Sequence, residues 1–203
     1  MSRFIFRLAI LGMGFVASGT ARAEIYFDPP KVADVNVFRT QYEAKLKDEP
    51  TPLTPEQLKQ SEVLAHYLVY RLTKKQEYHS QPGAMSGLVR ECDTWITRAV
   101  PPEATHVPLG QAFLKKMLEA LARVLAPPDQ LPITRINATR VLARLATASS
   151  LPESADVLVK AITDPYKNCG DGPRYWAFRG LRGLFERNPK PPTGERRSGP
   201  RSR

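Results

Sequence analysis

The sequence has few cysteines and no recognisable catalytic motif, and these absences exclude several classes of protein. Its 2 cysteines form neither a CxxC nor a CxxCH motif, so their spacing fits no metal, haem-attachment or redox site. No serine lies in a GxSxG elbow, no glycine-rich loop is suited to phosphate, and HExxH is absent. We therefore predict a protein that is not an enzyme and needs no cofactor.

Glycine is also scarce, whereas proline is frequent. The chain of 203 residues contains 12 glycines and 19 prolines. This balance favours helices separated by proline-marked turns over flexible glycine linkers. The apolar share of 42% is sufficient for one modest core.

Acidic residues are fewer than basic ones. The chain has 30 lysines and arginines and 20 aspartates and glutamates, which gives a formal charge of +10. Three of the positive charges, Arg3, Arg7 and Arg22, belong to a first segment without acids, which leaves +7 for the rest. A surface of this charge favours anionic partners.

The segment Met1–Ala23 has the pattern of a secretory signal peptide. Arg3 and Arg7 precede an apolar run from Leu8 to Val16, and the segment closes with the small-x-small exit 21–23. We expect cleavage after Ala23 and a secreted or periplasmic protein. An uncleaved anchor or a buried helix is the alternative. The run is too short for a stable membrane span, and no other segment is long and apolar enough for one.

Export leaves two alternatives for the cysteines. Cys92 and Cys169 are far apart in the sequence and could pair in an oxidising compartment. They could equally remain two separate buried thiols. The three histidines, His66, His79 and His106, are scattered, and we expect no metal ligand set around them.

Hydrophobic periodicity predicts an all-α chain of about seven helices. Residues 1–23 are the signal peptide, 24–53 a lead-in and first helix, 54–108 a helical region, 109–187 two helix pairs, and 188–203 a disordered basic tail. Thr54 followed by Gln57 predicts a capping box at the start of the second helix. The stretch 35–37 also allows a short strand. The predicted helices are Val32–Lys47, 54–75, Ala84–Val100, Leu109–Ala126, Thr134–Ala148, Pro152–Thr163 and Pro173–Arg187.

Two segments, Arg135–Leu145 and Arg174–Leu184, repeat one another, and each lies on the second helix of a predicted helix pair. The small alanine of each segment would admit a neighbouring helix, and the leucines would fill the groove between helices. The matching sets are Arg135, Ala138, Arg140, Leu142 and Leu145, and Arg174, Ala177, Arg179, Leu181 and Leu184.

This pattern resembles HEAT and HEAT-like repeats, whose units are antiparallel helix pairs of about 40 residues. The resemblance implies a short right-handed α-solenoid, with degenerate units within 54–108. It also implies structural ion pairs between turns and second helices, Asp129 with Arg135 and Asp164 with Arg174. The second pair is ten residues apart instead of six, so an insertion of four interrupts the pattern.

The chain as a whole is similar to a group of exported bacterial HEAT-repeat proteins, which has no activity to carry over. The segments that carry this likeness are 38–43, 66–72, 135–140 and 177–181. The resemblance therefore concerns architecture.

One face of the second helices is the predicted partner-binding surface. Second helices line the concave side of a HEAT array, where partners bind. Arginine beside an aromatic ring suits acidic peptides, phosphates or sulfated polymers. The alternative is an ordinary solvated basic face. The residues concerned are Arg140, Arg144, Trp176, Arg179 and, near the edge, Arg182.

We expect a non-catalytic scaffold that contacts a protein partner. An alternative is a module that binds an anionic polymer through the same face and the tail 188–203. A lyase-like enzyme is a third option, but Glu91 and Asp93 point to different helix faces and form no acid–base pair. Nucleic acid is not an expected partner of an exported protein.

Overall fold

The computed structural model of the chain describes residues 25–45, 52–74, 83–100, 108–149, 151–163 and 170–187. The predicted signal peptide and basic tail lie outside these ranges. So do Asp164, Cys169, His79 and His106.

The described ranges hold seven α-helices, one 3₁₀ turn and no strand, which confirms the all-α class there. The residues 35–37 are helical, so the strand alternative is wrong. No helix in these ranges is long and apolar enough to cross a membrane. The helices are α1 Val32–Lys45, α2 Pro55–Tyr70, α3 Ala84–Ala99, α4 Pro108–Leu125, α5 Pro132–Ala148, α6 Glu153–Thr163 and α7 Asp171–Arg187; the 3₁₀ turn Arg71–Thr73 follows α2.

Local sequence signals set the helix starts. Thr54 caps α2: its hydroxyl accepts a hydrogen bond from the Gln57 backbone N–H, and the Gln57 side chain accepts one from the Thr54 backbone. This is the predicted capping box, and it satisfies two donors that a helix start otherwise leaves open. Pro55, Pro108 and Pro132 are the first residues of α2, α4 and α5, where a missing N–H costs nothing.

Helices pack mainly on their second neighbours along the chain. The most extensive contacts join α5 to α7 and α2 to α4, and α3 also packs on α5. Consecutive helices pair as well, notably α4 with α5 and α6 with α7. As a result, α3, α5 and α7 lie side by side in a row.

One continuous core runs through the molecule, and aromatic rings form its N-terminal part. The rings of Tyr42, Trp95 and Phe113 contact one another with centroids 5.6 to 6.3 Å apart. The Tyr42 hydroxyl donates a 3.0 Å hydrogen bond to the Leu109 carbonyl, which ties α1 to the start of α4. The polar tip of a buried tyrosine is thereby satisfied.

The α5–α7 contact is unusually close, and glycine permits it. A Cβ atom added to Gly180 would lie 2.8 Å from the Ala143 Cα, too near for any real side chain. The repeat pattern predicts close approach at Ala138 and Ala177, and both are fully buried. The backbone of α5, however, comes closest to α7 at Gly180. This approach brings the side chains of the two helices into one groove.

Candidate binding groove on α3, α5 and α7

The row of three helices forms a groove that gathers most of the predicted partner-binding residues. It encloses a pocket of about 340 Å³. We call the lining of this pocket the basic groove. Its residues are Asp93 from α3, Arg140, Ala143, Arg144 and Thr147 from α5, and Trp176 and Arg179 from α7.

The Trp176 ring makes cation–π contacts with two of the groove arginines. The guanidinium carbons of Arg140 and Arg179 lie 5.2 and 5.3 Å from the centre of its ring. A guanidinium in such a cation–π contact is held in place and keeps its N–H groups available for hydrogen bonds. The groove therefore presents oriented donors.

The groove arginines differ in their pairing from the arginines that contact α1 and α3, such as Arg71 and Arg98. Within the described part of the chain, Arg140, Arg144 and Arg179 form no ion pair or hydrogen bond with another side chain. By contrast, Arg71 contacts Glu91 at 2.9 Å and Arg98 contacts Glu43. The groove thus concentrates positive charge that no ion pair within the described residues neutralises.

Asp93 is the one acid in the basic groove. Its Oδ1 atom is buried and has no hydrogen-bond partner. Burial raises the pKa of this carboxyl above its ordinary value, while the charges of Arg144 and Arg140 act in the opposite direction. The groove therefore holds one carboxyl group whose charged form burial disfavours.

Asp93 was not predicted as a groove residue. It points away from Glu91, as predicted, because Glu91 contacts Arg71 and Arg39 instead. No pattern along α3, however, indicates that this carboxyl faces α5. Only the packing of α3 on α5 brings Asp93 beside Arg140 and Arg144.

Arg182 lies outside the basic groove. Its guanidinium contacts Glu186 at 2.7 Å, and its side chain is highly exposed. It lines a neighbouring depression of about 590 Å³ together with Tyr175 and Phe178. The structure thus separates Arg182 from the other four predicted partner-binding residues.

The predicted structural ion pairs involve residues in different settings. Arg135 is buried and donates a 2.5 Å hydrogen bond to the Pro127 carbonyl, so it fastens the α4–α5 turn to α5. Asp129 and Arg174 are exposed, and Asp164 lies outside the described residues. The pairings of Asp129 with Arg135 and of Asp164 with Arg174 stay predictions.

Cys92 is fully buried and its thiol is free within the described part of the chain, so its pairing with Cys169 stays a prediction. Its sulfur lies 3.9 Å from the Leu68 carbonyl oxygen. Burial raises the pKa of the thiol far above its ordinary value. Cys169, its predicted partner, lies outside the described residues.

His66 has an acidic neighbour that the sequence analysis overlooked. Glu62 lies one helical turn earlier, with an oxygen 3.9 Å from the His66 Nε2, and the imidazole stacks on Tyr70. Burial lowers the pKa of His66, which favours the neutral ring. Among the described residues, no three His, Cys, Asp or Glu side chains gather as a metal site would require.

Comparisons with known protein families, curated proteins and solved structures found no match for this chain.

Proposed function

We propose that this protein is an exported, non-catalytic helical repeat domain that binds an acidic segment of a protein partner in the basic groove. One observation carries the proposal: Arg140, Arg144 and Arg179 converge on one pocket, and no carboxylate of the described residues lies within ion-pair distance of them. Charged groups left unpaired in a concave site lower stability without a ligand and raise affinity with one.

We propose further that the helices form a HEAT-like solenoid. Two features support this. The packing of α2 on α4 and of α5 on α7 is the second-neighbour stacking of repeated helix pairs. The two repeated segments fall on α5 and α7 themselves. In this arrangement α3, α5 and α7 are second helices, and the basic groove lies on their concave side.

The chemistry of the groove defines its ligand. Guanidinium groups bind carboxylates in a two-point geometry, and the contacts with Trp176 hold Arg140 and Arg179 ready for it. An acidic peptide supplies such carboxylates.

A module that binds an anionic polymer is the alternative. It would use the same groove with Arg182 and the tail 188–203. One observation favours the peptide: Arg182, which the polymer would use, already contacts Glu186. Export rests on the signal-like segment Met1–Ala23, and the absence of an enzymatic role rests on the missing catalytic motifs.

The test is a binding measurement with a defined probe. The full chain is titrated into a short fluorescent peptide of alternating glutamate and glycine, and anisotropy is recorded. The variant Arg140→Glu/Arg144→Glu/Arg179→Glu is compared with Lys59→Glu/Lys115→Glu/Lys160→Glu, which makes the same charge change at exposed sites outside the basic groove. Circular dichroism checks that both variants fold.

We expect the groove variant to lose binding and the control variant to retain most of it. Equal losses in both would mean that net charge alone attracts the peptide, and would overturn the groove. Retention on heparin that falls steeply with salt, and weakens on deletion of 188–203, would support the polymer alternative instead. A pull-down from the exported fraction with wild type and groove variant would then identify the partner.

A further inference from the structure

An exposed aromatic surface borders the basic groove. On α7, Tyr175 and Phe178 are each 59% exposed, although large apolar side chains usually lie inside a folded protein. Both line the depression of about 590 Å³ beside the groove. We call Tyr175 and Phe178 the aromatic patch. Phe185, on the same helix, is 67% exposed but does not line this depression.

The aromatic patch and the basic groove are continuous. The Tyr175 ring packs edge-on against Trp176, with centroids 5.3 Å apart. Thr147 and Arg179 line both the groove pocket and the depression. A ligand chain that leaves the groove along α7 therefore meets the aromatic patch directly.

Resting on the proposed function, we infer that the partner segment is amphipathic: acidic residues bind in the basic groove, and an apolar residue a short distance along the same segment packs on Tyr175 and Phe178. The unpaired arginines favour acidic residues of the partner segment. An apolar side chain that packs on the exposed rings is removed from water, which adds binding free energy. A sulfated or phosphorylated polymer has no apolar side chains to cover this patch.

A second copy of the chain suits this surface poorly. A symmetric dimer would bring the same patch of both subunits together, and with it two sets of unpaired arginines. The chain carries a formal charge of +10, which adds to that repulsion. Charge complementarity therefore favours a different, acidic protein.

Two fluorescent peptides and three variants test the inference. One peptide contains only glutamate and glycine, and the other has a tryptophan in place of one glycine. The full-length protein is compared with Phe178→Ser, with Tyr175→Ser/Phe178→Ser, and with the control Phe185→Ser, which removes an equally exposed ring outside the depression. Light scattering gives the mass of each protein in solution.

We expect wild type to bind the tryptophan peptide about tenfold more tightly than the acid-only peptide. The double variant should lose this preference while its affinity for the acid-only peptide is unchanged, and Phe185→Ser should behave as wild type. This result would support the inference, and the single Phe178→Ser variant should lie between the two.

Four outcomes would overturn it. If the double variant keeps the preference, or if Phe185→Ser loses it equally, the aromatic patch does not select the apolar residue, while the basic groove stands. If wild type is a dimer and the double variant a monomer, a second copy covers the patch. If neither peptide binds wild type, the proposed function fails together with this inference.

Discussion

Burial sets the protonation of individual residues in this protein. It raises the pKa of Asp93 and of Cys92 and lowers that of His66, so in each case it favours the neutral form. Only Asp93 among the three faces the basic groove. Burial disfavours the charged form of its carboxyl, and the nearby arginines offset this effect in part. Perturbed pKa values of this kind are common at binding and catalytic sites.

Replacement of Asp93 should therefore raise stability in a pH-dependent way. Because the folded-state pKa lies above the ordinary value of 3.8, the stability contributed by Asp93 is complete below that value and is lost as the pH rises through the folded-state pKa. Asp93→Asn mimics the neutral acid. We expect it to raise the free energy of unfolding by about 1 kcal/mol at neutral pH.

The measurement is denaturant unfolding of wild type and variant at pH 7 and at pH 4. The difference should shrink at the lower pH, where wild-type Asp93 is increasingly protonated. Arg144 and Arg140 oppose the shift, so Arg144→Gln in the wild-type background should enlarge the pH dependence. A variant that is less stable than wild type at neutral pH would contradict this account.

At the scale of the helices, the molecule depends on how closely neighbours approach. Most helices meet through leucine and alanine side chains, but α5 and α7 nearly touch through their backbones at Gly180. That distance determines whether Trp176 and Arg179 reach the side chains of α5. A helical glycine costs intrinsic helix stability, so its presence inside α7 has a packing reason.

Two glycine-to-alanine substitutions should have opposite effects on stability. At Gly180 the new methyl group would lie 2.8 Å from the Ala143 Cα, so Gly180→Ala should cost about 1–3 kcal/mol. Gly87 on α3 is exposed, with nothing within 4 Å of an added Cβ. Gly87→Ala should therefore stabilise the protein by about 0.5–1 kcal/mol.

Chemical denaturation of both variants beside wild type measures these values. Since each change adds one methyl group to a helical glycine, Gly87→Ala controls for helix propensity. Equal shifts of the same sign would mean that α5 and α7 are not held at the described distance.

At the scale of the whole molecule, arginines are divided between two regions. Towards the N-terminal end, Arg39, Arg71 and Arg98 contact glutamates across α1, α3 and the turn after α2. On α5 and α7, Arg144 and its groove neighbours have no such contacts in the described ranges. One set is suited to holding helices together, and the other to attracting a ligand.

We therefore predict that replacing an arginine by glutamine lowers the free energy of unfolding by different amounts in the two regions. Arg71 is largely buried, contacts Glu91 at 2.9 Å and lies over the Tyr67 ring. Arg71→Gln should cost about 1–3 kcal/mol. Arg144 is exposed, so Arg144→Gln should change the unfolding free energy by less than about 0.5 kcal/mol.

Thermal and denaturant unfolding of the two variants provide the comparison, with the peptide titration as a second measurement. Arg144→Gln should weaken peptide binding and Arg71→Gln should leave it largely intact. A large stability loss from Arg144→Gln would indicate that the groove arginines support the fold instead.

Much of the fold was predictable because its signals are local. Apolar spacing and proline positions indicated all seven helices within a few residues of their ends. The α2 capping box could be predicted from the sequence because Thr54 and Gln57 are three residues apart. The groove arginines Arg140, Arg144 and Arg179 were also identifiable, since the helix period places them away from the apolar face.

Helix content, helix boundaries and the basic character of one face could be predicted from the sequence, because they depend on residues a turn or two apart. The set of residues that line the groove could not, because it depends on how the helices pack. Asp93 and Arg140 are far apart along the chain, and only the packing of α3 on α5 unites them. The same holds for Gly180, whose role depends on a backbone from another helix. Contacts between distant segments follow from three-dimensional packing, which no local pattern records.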